Sequence, residues 1–318
     1  MKILITGCAG FIASHLTELF LDKGHTVIGL DNFDPFYVKE QKIKNLQAAQ
    51  NHKNFSFYEA DIRNSKDLTT IPTDIEFVIH LASKSGVRPS IQSPKEYLET
   101  NITGTLNLLE WVKAHEIGKM IYASSSSVYG NNKKTPFAES DNVDEPISPY
   151  AFSKKACELL TYNYHHLYNI DVLNLRFFTV YGPRQRPDLA IRKFVELILH
   201  DKPIHLFGDG SSARDYTFVQ DTINGVFNAF TYLNSKNKVY DIINLGNSKP
   251  VKLTELVNCI YEVLNKKPNL IYEPMQPGDV DITYADITKA RNLLNYNPST
   301  DLKTGITKFV EWYKESAK

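Results

Sequence analysis

Six short segments in the first half of the chain, Lys2–Thr6, Thr26–Leu30, Phe55–Tyr58, Phe77–His80, Met120–Ala123 and Val172–Arg176, read as strands that are mostly apolar along their whole length. A strand with one wet face alternates apolar and polar residues, whereas one that does not alternate needs cover on both faces. That is the situation of a parallel sheet sandwiched between helices. The intervening stretches supply those helices: Ile12, Leu16, Leu19 and Phe20 mark one helical face, which Gly24 terminates, and Leu98, Ile102, Thr105, Leu109 and Val112 mark another. The second stripe serves either sheet packing or a subunit contact. Strands and helices in alternation, with buried parallel strands, predict a doubly wound α/β fold.

After about Thr179 the alternation breaks and loops rich in Gly, Pro and Asp appear. We therefore expect a large α/β domain over residues 1–178 and a smaller substrate-binding lobe formed mainly by 179–318, with some chain returning to the first domain. Asp286 and Asp301 are placed to cap the final helices, the last of which carries Leu302, Ile306, Phe309, Val310 and Tyr313 on one face. A chain of 318 residues with 42% hydrophobic and 23% charged residues buries such a core without disulfides or bound metal, and a disordered or fibrous reading is excluded. Lys+Arg and Asp+Glu are 36 each, so no basic field draws nucleic acid or an anionic membrane. No apolar run approaches the roughly 20 residues of a membrane span, and the first residues run straight into a strand rather than a signal peptide. Cys8, Cys157 and Cys259 lack paired spacing and fit reduced thiols in the cytoplasm.

Chemistry concentrates at the ends of the predicted strands. Thr6-Gly7-Cys8-Ala9-Gly10-Phe11-Ile12-Ala13 joins the first strand to the first helix. Gly7 permits the tight turn, Gly10 lets backbone approach a pyrophosphate, and the helix N-terminus offers N–H donors and a positive dipole end. Asp31 ends the second strand at the distance where an acidic residue accepts hydrogen bonds from ribose hydroxyls. No arginine follows it closely to welcome a further phosphate, which predicts NAD over NADP. Tyr150 and Lys154 lie one helical turn apart, and an adjacent ammonium is a means of making a tyrosine a usable base. Ser124–Ser127 follow a predicted buried strand, so their hydroxyls are expected to face the ligand crevice. Two tempting groups carry less. His165 and His166 are neighbours and point to different sides of a helix, which makes a poor metal site, and Cys8 is read as packing.

Gly7-x-x-Gly10-x-x-Ala13, Asp31, Asp61-Ile62, His80-Leu81-Ala82, Asn101, the serines before Val128-Tyr129-Gly130 and Tyr150-x-x-x-Lys154 together resemble the extended short-chain dehydrogenase/reductase family over essentially the whole chain. The resemblance implies a Rossmann domain holding NAD through Gly7, Gly10, Phe11, Ile12, Asp31, Asn32, Asp61, Ile62, Leu81, Ala82, Lys84, Asn101, Tyr150 and Lys154. Within that family the chain is most similar to nucleotide-sugar 4-epimerases of the UDP-glucuronate group. The segments that carry this are Asp31-Asn32-Phe33-Asp34-Pro35-Phe36-Tyr37, Arg176 to Asp188, and Gln276-Pro277-Gly278-Asp279-Val280. Tyr150, with Lys154 lowering its pKa, would then take the sugar O4 proton, while Ser125 positions O4 and Ser127 assists.

The same resemblance sorts the alternatives. Dehydratases and decarboxylases of this family carry an acid just before the Val-Tyr-Gly segment. Ser126-Ser127 stand there in this chain, which favours epimerisation. Ser126, Ser127 and Arg186 are the expected restraints on a uronate carboxylate, with Arg88, Thr179, Arg214, Gln276, Asp279 and Thr283 as further substrate contacts. Gln276 replaces an arginine usual in galactose-type enzymes, which leaves Arg214 and Arg88 to meet the diphosphate. Thr283 stands at a gate where hexose-only enzymes have tyrosine. UDP-hexose or UDP-N-acetylhexosamine epimerisation, decarboxylation and a non-catalytic NAD sensor rank below. A homodimer through the Leu98–Val112 stripe and the Tyr150 helix is also implied, and a UDP-sugar is the expected partner, with neither nucleic acid nor membrane.

Overall fold

The computed structural model describes residues 1–274 and 281–316. Its strands are β1 (Lys2–Thr6), β2 (Thr26–Asp31), β3 (Phe55–Glu59), β4 (Phe77–His80), β5 (Lys119–Ser125), β6 (Asp171–Phe177), β7 (Thr179–Tyr181), β8 (Ile204–Phe207), β9 (Ala213–Phe218), β10 (Tyr240–Leu245), β11 (Pro250–Lys252) and β12 (Leu270–Glu273). The helices are α1 (Phe11–Asp22), α2 (Lys39–Gln50), α3 (Ser65–Leu68), α4 (Val87–Gln92), α5 (Pro94–Leu98), α6 (Gly104–Ala114), α7 (Pro149–Tyr168), α8 (Ala190–Leu199), α9 (Val219–Asn234), α10 (Leu253–Leu264), α11 (Thr288–Leu294) and α12 (Leu302–Ser316).

The central sheet has seven strands in the order β10-β6-β5-β4-β1-β2-β3, all parallel. Its strands lack alternation because both faces are covered. Ile3 and Ile5 of β1 pack into one core with α1 and α9, while Leu4 between them packs into the other with Leu108, Leu109 and Trp111 of α6. The strand order reverses between β1 and β4, so their carboxyl ends open a crevice there. Gly24, at φ +80°, ends α1 as expected, its N–H donating to the Leu21 carbonyl.

Chain beyond Thr179 supplies β10 and α9 to this first unit; the rest builds a three-stranded sheet, β11-β9-β7, and a two-stranded one, β12-β8. Asp286 accepts from the Thr288 N–H and Asp301 from the Thr304 N–H at the starts of α11 and α12. Leu302, Ile306, Phe309, Val310 and Tyr313 of α12 pack together against the core. Phe137, in the long segment between β5 and α7, bridges to Ala285 and so ties the catalytic half of the sheet to the distal chain.

Of the stripe at Leu98, Ile102, Thr105, Leu109 and Val112, the first two side chains are half-buried. Thr105, Leu109 and Val112 are buried within the subunit. The exposed large apolar side chains of these two helices are Leu106 of α6 and Phe152, Leu159, Tyr162, Leu167 and Tyr168 of α7. No helix among the described residues is long and apolar enough to cross a membrane, and no group of His, Cys, Asp or Glu among them is arranged to hold a metal ion.

Candidate active site

A continuous cleft runs along the carboxyl ends of β1, β2, β4 and β5 and under the loop after β7. Gly7, Gly10, Phe11, Ile12, Asp31, Asn32, Asp61, Ile62, Leu81, Ala82, Lys84, Ser125, Ser126, Ser127, Tyr150, Lys154, Thr179 and Arg186 all line it. At one end the glycine turn is closed by necessity. Gly7 has φ +74°, and a Cβ there would lie 2.9 Å from the Ala82 backbone; a Cβ on Gly10 would meet the Gly7 carbonyl at 2.9 Å. The N-terminus of α1 carries no side-chain cap, so its N–H groups face the cleft. Asn45 of α2 ties the turn down by donating to the Ala9 carbonyl at 3.0 Å.

Asp31 closes β2 and accepts from the N–H groups of Ala9 at 3.2 Å and Phe33 at 2.8 Å. Burial pushes its carboxyl above the usual range, and Lys42, with the two N–H donors, pulls against that shift. Lys42 Nζ is 4.0 Å away, bonded to the Asp34 carbonyl, and both side chains are buried. No arginine follows Asp31 closely in sequence, but Lys42 is a cation beside it in the fold. Its signal was present in the buried set Lys42, Asn45, Leu46 and Ala49 of α2, which has helical spacing with two polar members. Asn32 donates to Asp61, which Arg63 also grips at the surface. This set fits a dinucleotide: a backbone cradle for the pyrophosphate, and acceptors where a ribose edge would sit.

At the other end Ser148 accepts from the Ala151 N–H at 3.1 Å and Pro149 opens α7, which fixes the helix start just before Tyr150. Ser125 ends β5, accepts from the Ser127 N–H at 3.1 Å and shares the cleft wall with Tyr150. Tyr150 is 9% exposed. Burial raises its pKa, while the Ser125 hydroxyl and the Arg186 charge lower it. Arg186, which the sequence assigned only to the substrate, is thus a cation acting on the phenol. Lys154 Nζ donates to the Ala123 carbonyl at 2.7 Å and to Ser83 Oγ at 3.0 Å, and lies 5.9 Å from the Tyr150 ring centroid. Burial lowers the Lys154 pKa to about 8, against the pull of Cys157 and Glu158.

Several expected residues sit elsewhere. The Ser124 hydroxyl turns inward to Glu158 at 2.6 Å, because the strand alternates faces. Asn101 does not line the cleft. It lies in a π-helical turn, fully buried, accepting from the Lys84 N–H at 2.8 Å and donating to the Lys84 carbonyl at 2.9 Å and to Ser153 at 2.8 Å. It shapes the loop that presents Lys84. Arg88 lies over the Phe207 ring at 5.5 Å, Arg214 donates to the Ala213 carbonyl at 2.9 Å, and Thr283 accepts from the Asp215 N–H at 3.1 Å; none of these three lines the cleft. Gln276 and Asp279 lie outside the described residues. Arg184 pairs with Glu18 at 2.8 Å on α1. Phe36 and Tyr37, from the segment after Asp31 that carries the resemblance, also line the cleft, as does Leu189, to which no sequence signal pointed.

A glycine turn at the first strand, an acid at the second and a serine–tyrosine–lysine group at the switch point define a dinucleotide-binding α/β enzyme of the extended short-chain dehydrogenase/reductase class. The profile of the family described as GDP-mannose 4,6 dehydratase matches residues 4–309, and the chain belongs to that family. The UDP-glucuronate 4-epimerase of Thermodesulfobacterium geofontis is 42% identical over 316 residues, covering 98% of this chain and 96% of that protein. The UDP-glucuronic acid 4-epimerase of Bacillus cereus, solved with UDP-glucuronic acid and NAD, superposes with a TM-score of 0.92 at 36% identity, over 99% of this chain and 100% of the other. The UDP-glucose 4-epimerase of Thermotoga maritima, solved with UDP-glucose, follows with a TM-score of 0.90 at 31% identity, over 100% of both chains.

Proposed function

We propose that the protein is a UDP-glucuronate 4-epimerase that interconverts UDP-glucuronate and UDP-galacturonate with bound NAD. The observation that carries this is the Ser125–Tyr150 pair in a dinucleotide cleft that also holds Arg186 and, at positions 126 and 127, hydroxyls in place of an acid. NAD, when bound, supplies the acceptor and donor of a hydride. Gly7, Gly10 and the α1 N-terminus would hold its pyrophosphate, and Asp31 a ribose edge. Tyr150 is placed to take the O4 proton as the C4–H bond gives up its electron pair, and Ser125 to hold O4 on the line to the phenol. Lys154, anchored by Ser83 and Ala123, keeps an ammonium beneath the tyrosine. Return of proton and hydride to the opposite face of the 4-keto sugar gives the epimer, and no net oxidation results.

A 4-ketone beside a C6 carboxylate is a β-keto acid that readily loses carbon dioxide. Ser126, Ser127, Thr179 and Arg186 are the groups that would hold the carboxylate out of the geometry for that loss. Arg214 and Arg88 are assigned to the diphosphate, Thr283 to the gate beside the sugar substituent, and Gln276 and Asp279 to further substrate contacts. The division into a cofactor domain over 1–178 and a substrate lobe over 179–318 goes with this reading, as does a cytoplasmic homodimer. Three free cysteines support the first of those properties, and the exposed Phe152, Leu159 and Tyr162 on α7 with Leu106 on α6 the second.

The test is NMR of purified protein with UDP-glucuronate and no added cofactor. UDP-galacturonate should accumulate to equilibrium, and Tyr150→Phe should lose most of the turnover while still binding NAD. Turnover near the unmodified level in that variant would remove Tyr150 from its role.

A further inference from the structure

Arg186 is the one arginine among the described residues lining the cleft. A guanidinium has five N–H donors, and three are engaged. Nε and Nη2 donate to the two oxygens of Asp188 at 2.9 and 2.8 Å, and Nη1 donates to the Ser85 hydroxyl. One N–H remains on each terminal nitrogen. The guanidinium also lies over the Phe36 ring, 5.2 Å from its centroid, which fixes its plane. The Arg186 and Asp188 side chains are 17% and 29% exposed, so water screens the pair only in part. Asp188 also acts on Arg192 and on Tyr37, which lines the cleft. A carboxylate arriving at the two remaining donors meets a guanidinium whose charge is already shared.

Sharing has a use in an epimerase. The ring must turn over between the loss and the return of the C4 hydrogen, so a carboxylate contact made on one face has to break in every turnover. Binding energy spent on the ground state slows that step. We propose that Asp188 sets the strength of the uronate contact: it orients Arg186 and shares its charge, so that the substrate carboxylate is recognised and still released for the ring to turn. Asp188 is thus a positioning residue that acts through Arg186, and the inference rests on the reading of Arg186 as the carboxylate's partner.

The test is Asp188→Asn, which keeps the shape and one acceptor oxygen but removes the charge. Binding of UDP-glucuronate, UDP-glucose and UDP to the NAD-loaded variant is measured by calorimetry, with KM and kcat for UDP-glucuronate. Removing a negative charge a few ångströms from the bound carboxylate should tighten UDP-glucuronate about threefold to tenfold, with UDP and UDP-glucose unchanged within about twofold. KM and kcat should fall together, and Asp188→Glu should restore both. Unchanged or weaker UDP-glucuronate binding, with UDP binding intact, overturns the proposal. Arg186→Ala, run in parallel, separates this from the reading beneath it. Equal weakening of UDP-glucuronate and UDP would assign Arg186 to the diphosphate. Selective weakening of UDP-glucuronate, together with no tightening in Asp188→Asn, would leave that reading standing and remove only the role of Asp188.

Discussion

Replacing Glu158 by Gln tests how Ser124, Ser125 and Tyr150 are held in register. Glu158 lies two helical turns beyond Tyr150 on α7 and is 1% exposed, as is its partner Arg176 on β6. One oxygen accepts from Ser124 Oγ at 2.6 Å and Arg176 Nε at 2.8 Å, the other from Arg176 Nη2 at 2.8 Å. Burial opposes the Arg176 charge, and Glu158 more than offsets this, holding the guanidinium above its ordinary range. In Glu158→Gln the arginine cannot shed its proton, one amide oxygen replaces two carboxylate oxygens, and the amide NH2 meets Nη2 donor to donor. Breaking a buried pair by removing one partner costs about 3–5 kcal/mol, a large share of the roughly 5–15 kcal/mol that holds a domain folded. Urea unfolding of the cofactor-loaded protein, followed by circular dichroism, should show that loss, and kcat should fall because Ser124 anchors the strand end next to Ser125. The double variant Glu158→Leu with Arg176→Met should be more stable than Glu158→Gln, since neither charge is then orphaned. A Glu158→Gln variant within about 1 kcal/mol of the unmodified protein, or a double variant no better than the sum of its single losses, would refute the reasoning.

Two further outcomes are expected. Asp31→Ala should narrow the preference for NAD over NADP, and Lys42→Met should widen it about fivefold, since even water-like screening leaves about 1 kcal/mol at 4 Å; calorimetry with both cofactors decides, and NADP binding that Lys42→Met leaves unchanged would place the ammonium out of reach of that subsite. Leu159→Glu should turn a homodimer into a folded monomer in sedimentation, whereas Leu109→Glu, wholly internal, should unfold the chain; a Leu159→Glu protein that still sediments as a dimer would move the contact away from α7.

How much was legible without the structure follows from which forces are local. The strands at Lys2–Thr6 and Phe77–His80 and the caps at Asp286 and Asp301 were readable, because apolar continuity and cap chemistry act over a few residues. So was the cofactor turn, since Gly7 and Gly10 are required by the local backbone geometry. Partner choice was not, because it is settled across tens of residues. Lys42 reached Asp31 through the packing of α2, and Asn101 turned to the Lys84 backbone through a π-helical turn. Arg184 and Arg186 lie two residues apart, yet a left-handed Arg184, at φ +65°, sends one to Glu18 and the other into the cleft. Leu109 and Leu159 sit in equally helical stripes, and periodicity names a face without naming what covers it. Apolar patterning and spacing determined the fold class and the glycine turn, and the family resemblance singled out Tyr150. Tertiary packing decided which charges stand beside them, because a buried charge takes whichever counter-charge the fold brings within reach.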